Sequence, residues 1–97
     1  MVHQYWVYIM SNKWNTMVYI GVTNDLVQRV HQHKQRSDPK AFSARYNLDR
    51  LIWYEAHNDI RTAIAREKQL KNWKRAWKND LIDTMNKERR DLSEDLI

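Results

Sequence analysis

Residues 5 to 21 read Tyr-Trp-Val-Tyr-Ile-Met-Ser-Asn-Lys-Trp-Asn-Thr-Met-Val-Tyr-Ile-Gly, and their pattern decides the fold. Two aromatic, β-branched runs flank a polar stretch that opens with Ser11 and Asn12, which predicts a β-hairpin. Side chains alternate between the faces of a strand, so Tyr5, Val7 and Ile9 share one face and Trp6, Tyr8 and Met10 the other. In the second strand Val18, Ile20 and Val22 oppose Met17, Tyr19 and Gly21. If the aliphatic faces share a core, Tyr8 and Tyr19 lie together on the opposite face. Gly21 is the only glycine in the chain and stands where the sheet gives way to a helix. That position suits close approach of another group to the backbone, or a positive φ.

Working outward, Thr23, Asn24 and Asp25 offer N-cap chemistry for a helix whose apolar stripe is Leu26, Val27 and Val30, reaching about residue 34. Arg29 and His33 are four residues apart and project together from it. Residues 35 to 48 hold the only proline and show no clean period, which predicts a loop with one helical turn. Residues 50 to 57 form a third strand. Asn58 and Asp59 then cap a helix striped by Ile60, Ala63, Ile64 and Leu70, with Glu67 inside the stripe. A last helix over residues 74 to 85 is expected to pack through Trp73, Trp77, Leu81 and Met85. The order β-β-α-β-α-α predicts an α+β domain, a three-stranded antiparallel sheet flanked by helices, over residues 1 to 86. A charged tail, 87 to 97, is expected to lie loosely on the surface.

The chain of 97 residues has the size of one domain with one modest core. It lacks cysteine, as suits a reducing compartment. The N-terminus lacks the basic and apolar regions of a leader, and no apolar run approaches the about 20 residues of a membrane span. These features predict a soluble, cytoplasmic protein. Lys and Arg number 17 against 12 Asp and Glu, a net charge of +5. Arg61, Arg66, Lys68, Lys71, Lys74, Arg75 and Lys78 surround the single acid Glu67. Such a cluster attracts a polyanion, or is simply a solvated helix face.

The constellation to explain is two tyrosines on one sheet face, an Arg/His pair on the next helix and an acid on a later one. Each has an ordinary alternative: packing for the tyrosines, a salt bridge for Arg29, a surface or capping role for His33. Glu67 fits its alternative least well, because burying a carboxylate requires a partner such as Arg29, Arg66 or Lys71. The sequence has no Cys/His zinc spacing, no phosphate-binding glycine loop and no glycine-flanked serine, and its four histidines are scattered.

Taken together, the segments resemble the GIY-YIG nuclease family, in particular its small stand-alone bacterial members. The first motif stands as Trp6-Val7-Tyr8 and the second as Tyr19-Ile20-Gly21. The passage from Gly21 to Arg29 resembles the family's strand-to-helix segment, and the passage from Ala65 to Trp73 the segment that bears its acid. The resemblance implies that Tyr8 and Tyr19 are paired active-site tyrosines, Arg29 the phosphate-binding arginine and Glu67 the ligand of Mg²⁺ or Mn²⁺. His33 matches a histidine and Asn79 an asparagine found in some members. The departures are Trp6 in place of the first glycine and Val22 where some members carry a lysine. The implied activity is metal-dependent hydrolysis of DNA, branched or single-stranded, by a monomer or weak dimer. Arg66, Lys68, Lys71, Lys74, Arg75, Lys78 and Asn79 would track the nucleic acid. The alternatives are a non-cleaving nucleic-acid-binding module on the same fold, and an aromatic face that buries a dimer interface.

Overall fold

The hairpin forms as its alternation predicts, and its first strand is the centre of the sheet. The computed structural model describes residues 4–35 and 45–96. Its strands are β1 (Tyr5–Ser11), β2 (Val18–Thr23) and β3 (Arg50–His57). Its helices are α1 (Leu26–Gln35), α2 (Ile60–Lys71) and α3 (Arg75–Asn86), followed by a 3-10 turn, Leu92–Leu96. The element order is therefore the expected β-β-α-β-α-α. The loop expected over residues 35 to 48 lies for most of its length outside the described residues. Among those described, no helix is long and apolar enough to cross a membrane.

The strands run β2-β1-β3 and pair antiparallel throughout. Central β1 is covered on both faces, so Val7, Tyr8, Ile9 and Met10 are all fully buried. Alternation divides them between two cores. Val7 and Ile9 join Ile20, Ile52, Trp53, Ala63, Leu70 and Ile82 beneath α2 and α3. Tyr8 and Met10 join Leu26, Val30, Leu48, Leu51 and Leu92 beneath α1 and the C-terminal turn. Trp6, in place of the first motif's glycine, packs edge-on against Tyr54 at 5.8 Å on that second face.

Two helix starts follow the expected chemistry. The Asp25 carboxylate accepts from Gln28 N at 3.1 Å, and the Asp59 carboxylate accepts from Arg61 N at 2.8 Å. The register between β1 and β3 holds a feature that simple alternation does not contain. Ile9 pairs with Trp53 but Met10 pairs with Leu51, leaving Ile52 as the extra residue of a bulge. Ile52 and Trp53 consequently both enter the α2–α3 core. Asn86, buried at the end of α3, donates to Ile52 O at 3.2 Å and to Arg90 O at 2.7 Å.

That demand corrects the expected packing face of the last helix. Ile82 and Asn86 are its buried residues, whereas Trp77 and Met85 are 49% and 45% exposed. Trp73 and Leu81 are half-buried against the core. In α2, Ala63 and Leu70 are buried while Ile60 and Ile64 are partly exposed at the edge of the expected stripe.

The expectation of a loose tail is also corrected. Leu92 is buried in the second core, and the chain before it is fastened by Asp91. That carboxylate accepts from Lys34 Nζ, from Leu51 N at 3.2 Å, and from Ser93 N and Oγ at 3.0 and 2.7 Å. Lys34 belongs to α1 and Leu51 to β3, so one side chain ties three elements together. Burial raises the Asp91 carboxyl, but these donors outweigh it and hold the group below 3.8. The stability it contributes is thus present above the unfolded value and lost as pH falls through the lower folded one. Asp91→Ala should cost about 1–3 kcal/mol at pH 7, a fall in Tm of several degrees by calorimetry. The gap to wild type should narrow as pH falls below 3.8, toward the lower folded value.

Candidate active site

Tyr8 and Gly21 are cross-strand partners on the face beneath α1. The tyrosine ring lies across the glycine so closely that a Cβ there would sit 2.5 Å from Tyr8 Oη and 2.6 Å from Cζ. The φ of Gly21 is not positive, so of its two expected uses the close approach is the one realised. β2 is an edge strand, and the absence of a side chain at Gly21 carries the Tyr8 hydroxyl out over it. There Oη lies 3.1 Å from His33 Nε2. The Tyr19 ring completes the group, 6.2 Å from that of Tyr8 and 5.5 Å from that of His33.

Burial of Leu26 and Val30 fixes the rotation of α1. Arg29 and His33, one turn apart, are thereby half-buried beside the tyrosines. From α2, Glu67 holds a side chain only 17% exposed, paired with Lys71 at 3.4 Å. The charges of Arg29 and Glu67 both act on Tyr8. Two strands and two helices therefore bring Tyr8, Tyr19, Arg29, His33 and Glu67 near one another; alternation pairs the tyrosines and helical spacing pairs Arg29 with His33, while the place of Glu67 beside them is what the family resemblance implies.

The electrostatics give the Tyr8–His33 pair a direction. Burial, then the neighbouring Tyr19, pushes the Tyr8 hydroxyl well above its ordinary value, against the opposing pull of Arg29. Burial, then Arg29, pushes the His33 imidazole below 6.5. Near neutral pH the pair is thus a phenol beside a neutral imidazole. In the tautomer that leaves Nε2 bare, Tyr8 donates to it.

Among the described residues no group of three or more His, Cys, Asp and Glu could cage a metal. Glu67 is a single hard-oxygen donor, recessed and balanced by one lysine. That donor set fits an ion that keeps most of its water, as Mg²⁺ does. Val22 is half-buried against the α2–α3 core, so the position where some relatives carry a lysine serves packing here.

The basic residues divide into two groups. Arg66 reaches to β3, where it donates to Glu55 at 3.1 Å, and it stacks 5.4 Å above Trp73. Arg75 donates to Asn15 O at 2.6 Å, to Thr16 O at 3.4 Å and to Asn79 Oδ1 at 3.1 Å. Arg66, Arg75 and Asn79 are thus engaged within the fold. Lys68, Lys71 and Lys74 stand exposed; Lys78 is half-buried, and burial and then Arg75 lower its ammonium. The sequence reading missed Glu55, which also binds His57 at 2.7 Å and absorbs charge that the linear cluster assigns to a ligand.

The site is thus a three-stranded antiparallel sheet with tyrosines on adjacent strands, faced by an arginine and a carboxylate on flanking helices. A family model described as the GIY-YIG catalytic domain matches residues 4–80, and the chain belongs to the GIY-YIG family. It is similar to the UPF0213 protein VPA1222 of Vibrio parahaemolyticus serotype O3:K6 (strain RIMD 2210633). The two are 32% identical over 83 residues, which span 84% of this chain and 76% of that protein. In fold it is similar to the UPF0213 protein BH0048 from Bacillus halodurans, solved by solution NMR. That match has a TM-score of 0.57 at 23% identity, covering 94% of this chain and 95% of the other.

Gly21→Ala tests the packing that sets the site. The new methyl must displace the Tyr8 ring and so part Oη from His33 Nε2. The expected cost is about 1–3 kcal/mol by thermal unfolding, together with a change in the Tyr8 and His33 ring resonances by NMR.

Proposed function

We propose that this chain hydrolyses DNA phosphodiester bonds with the aid of a divalent metal, Mg²⁺ or Mn²⁺, selecting DNA structure rather than base sequence. The observation that carries this reading is the buried Tyr8–His33 pair, flanked by the charges of Arg29 and Glu67. Family membership supplies the class of reaction, and the geometry suggests how the residues divide the work. The exposed lysines of α2 and the α2–α3 connection supply sequence-independent contacts to a phosphate backbone.

Tyr8 is a poor base, since forming its phenolate would oppose burial. A relay avoids that cost. Water attacks phosphorus, giving its proton to Tyr8 Oη as Tyr8 passes its own to His33 Nε2. The phenol is regenerated and the charge ends on the imidazole, while the bond from phosphorus to the 3′ oxygen breaks. Arg29 binds the phosphate and strengthens its hold as charge builds on the non-bridging oxygens. Tyr19 packs against both His33 and Tyr8 and orients them. Glu67 would hold the metal, which when bound supplies Lewis-acid stabilisation of the phosphate and the leaving oxygen.

The alternative is a domain that binds nucleic acid without cutting it. The recessed Glu67 speaks for cleavage, because a carboxylate beside a proposed phosphate site weakens simple anion binding. Glu67→Ala should lower metal-dependent cleavage of labelled flapped, branched, single-stranded and duplex DNA about 10²-fold or more. Its folding stability should change by less than about 1 kcal/mol, since Lys71 is an exposed i, i+4 partner. Tyr8→Phe should lose cleavage similarly. Retained cleavage in Glu67→Ala sinks the assignment, and DNA binding indifferent to metal and to Glu67 would favour the alternative.

His33 must be neutral to accept a proton, so the rate should rise with pH through a value below 6.5 and then level. Tyr8 must stay protonated, and its raised value puts any fall at the alkaline end above the ordinary phenol range. A single-turnover profile should therefore be flat from about pH 7 to 9. In His33→Ala the acid limb should disappear, with a rate about 10²-fold lower.

A further inference from the structure

The tip of the β1–β2 hairpin is built with more care than a connection requires. Asn12 is buried, and its side-chain oxygen accepts from Thr16 N at 2.9 Å while its amide donates to Thr16 Oγ1 at 2.6 Å. Asn15 occupies the left-handed region at φ 56°. Ser11 Oγ, fully buried, donates to the Asn15 side chain at 3.1 Å, and Arg75 grips the Asn15 carbonyl from α3. Yet this rigid turn turns an indole outward: Trp14 is 64% exposed, the most exposed large hydrophobic side chain among those described, with Lys13 Nζ 4.6 Å above its ring. Ordering a loop to display a largely exposed indole runs against the hydrophobic effect, and fits an aromatic held ready for a planar partner.

What lies beside it says which partner. An open groove of about 320 Å³ runs between Trp14 and the turn that leads into β3, lined by Lys13, Trp14, Asn47, Asp49 and Arg50. Just before Asn47 in the chain, Tyr46 is 41% exposed beneath the Arg45 guanidinium. An aromatic face flanked by cations, with Asn47 and Asp49 as acceptors for a base edge, has the features that hold unpaired nucleotides. Lys34, the residue after His33 on α1, donates to Asp49 O at 3.0 Å, a direct link between that helix and a residue that lines the groove.

We infer that this groove is a binding site for an unpaired nucleotide of a DNA strand, whose base stacks on Trp14 and whose phosphates lie against Lys13 and Arg50. The inference deepens the reading of the chain as a nuclease by giving it a preference for strands with unpaired bases, but the contact itself needs no cleavage. Duplex DNA, whose base faces are occupied by neighbouring pairs, gains nothing from the indole.

The test is anisotropy of a labelled oligothymidine and of a fully paired duplex of two complementary strands, at low salt with EDTA present so that nothing is cut. Trp14→Ala should weaken oligothymidine binding by about fivefold or more, leave duplex binding within about twofold, and be rescued largely by Trp14→Phe. Because Trp14 is exposed, the unfolding temperature should not move, which checks that the variant folds. Unchanged oligothymidine affinity, or equal loss for both DNAs, overturns the inference. A wild type that cuts no substrate yet binds oligothymidine through Trp14 would remove the hydrolytic function and leave this site standing.

Discussion

A phenol packed against a glycine is the constraint on which the rest depends. Tyr8 is fully buried in the central strand, so its hydroxyl needs a partner that the sheet cannot supply. The one residue without a side chain stands opposite it, lets the ring cross the edge strand, and delivers the hydroxyl to His33. Everything that fixes α1 against this face then serves the site: Leu26 and Val30 below it, the Asp25 cap at its start, and Lys34 bound to Asp91 at its end. The same burial that makes the contact rigid sets its proton affinities, keeping the phenol protonated and the imidazole neutral.

Charge is distributed with similar economy. The linear run of cations from Arg61 to Lys78 would repel itself if all of it faced one way, and the fold divides it. Arg61 pairs with Asp59, Arg66 with Glu55, Lys71 with Glu67, and Arg75 is spent on carbonyls of the hairpin loop. Adjacent residues on α2 even serve different strands of the sheet. Arg66 is drawn to β3, while the charge of Glu67 is felt at Tyr8, consistent with the turn of about 100° between neighbours on a helix.

What was legible in the sequence was what depends on local periodicity. Alternation placed Tyr8 and Tyr19 on one face, helical spacing placed Arg29 beside His33, and capping chemistry marked the starts of α1 and α2. The bulge at Ile52 was not legible, because an extra residue in one strand shifts alternation without changing composition. That in turn hid the orientation of α3. Trp73, Trp77, Leu81 and Met85 looked like its packing stripe, but Asn86 must reach the carbonyl of the bulged residue and Arg75 the hairpin loop, and the two polar anchors turn Trp77 outward. The C-terminal segment misled for a like reason. Its charges look solvated in a linear reading, yet Asp91 finds donors on α1 and β3 that lie far away along the chain.

The bond between Lys34 and Asp91 joins residues 57 positions apart. Closing so long a loop is entropically expensive, and such contacts form after local ones have reduced the search. The helix carrying Arg29 and His33 is thus held in part by a residue near the other end of the chain, and the site depends on the completed fold rather than on any local segment of it.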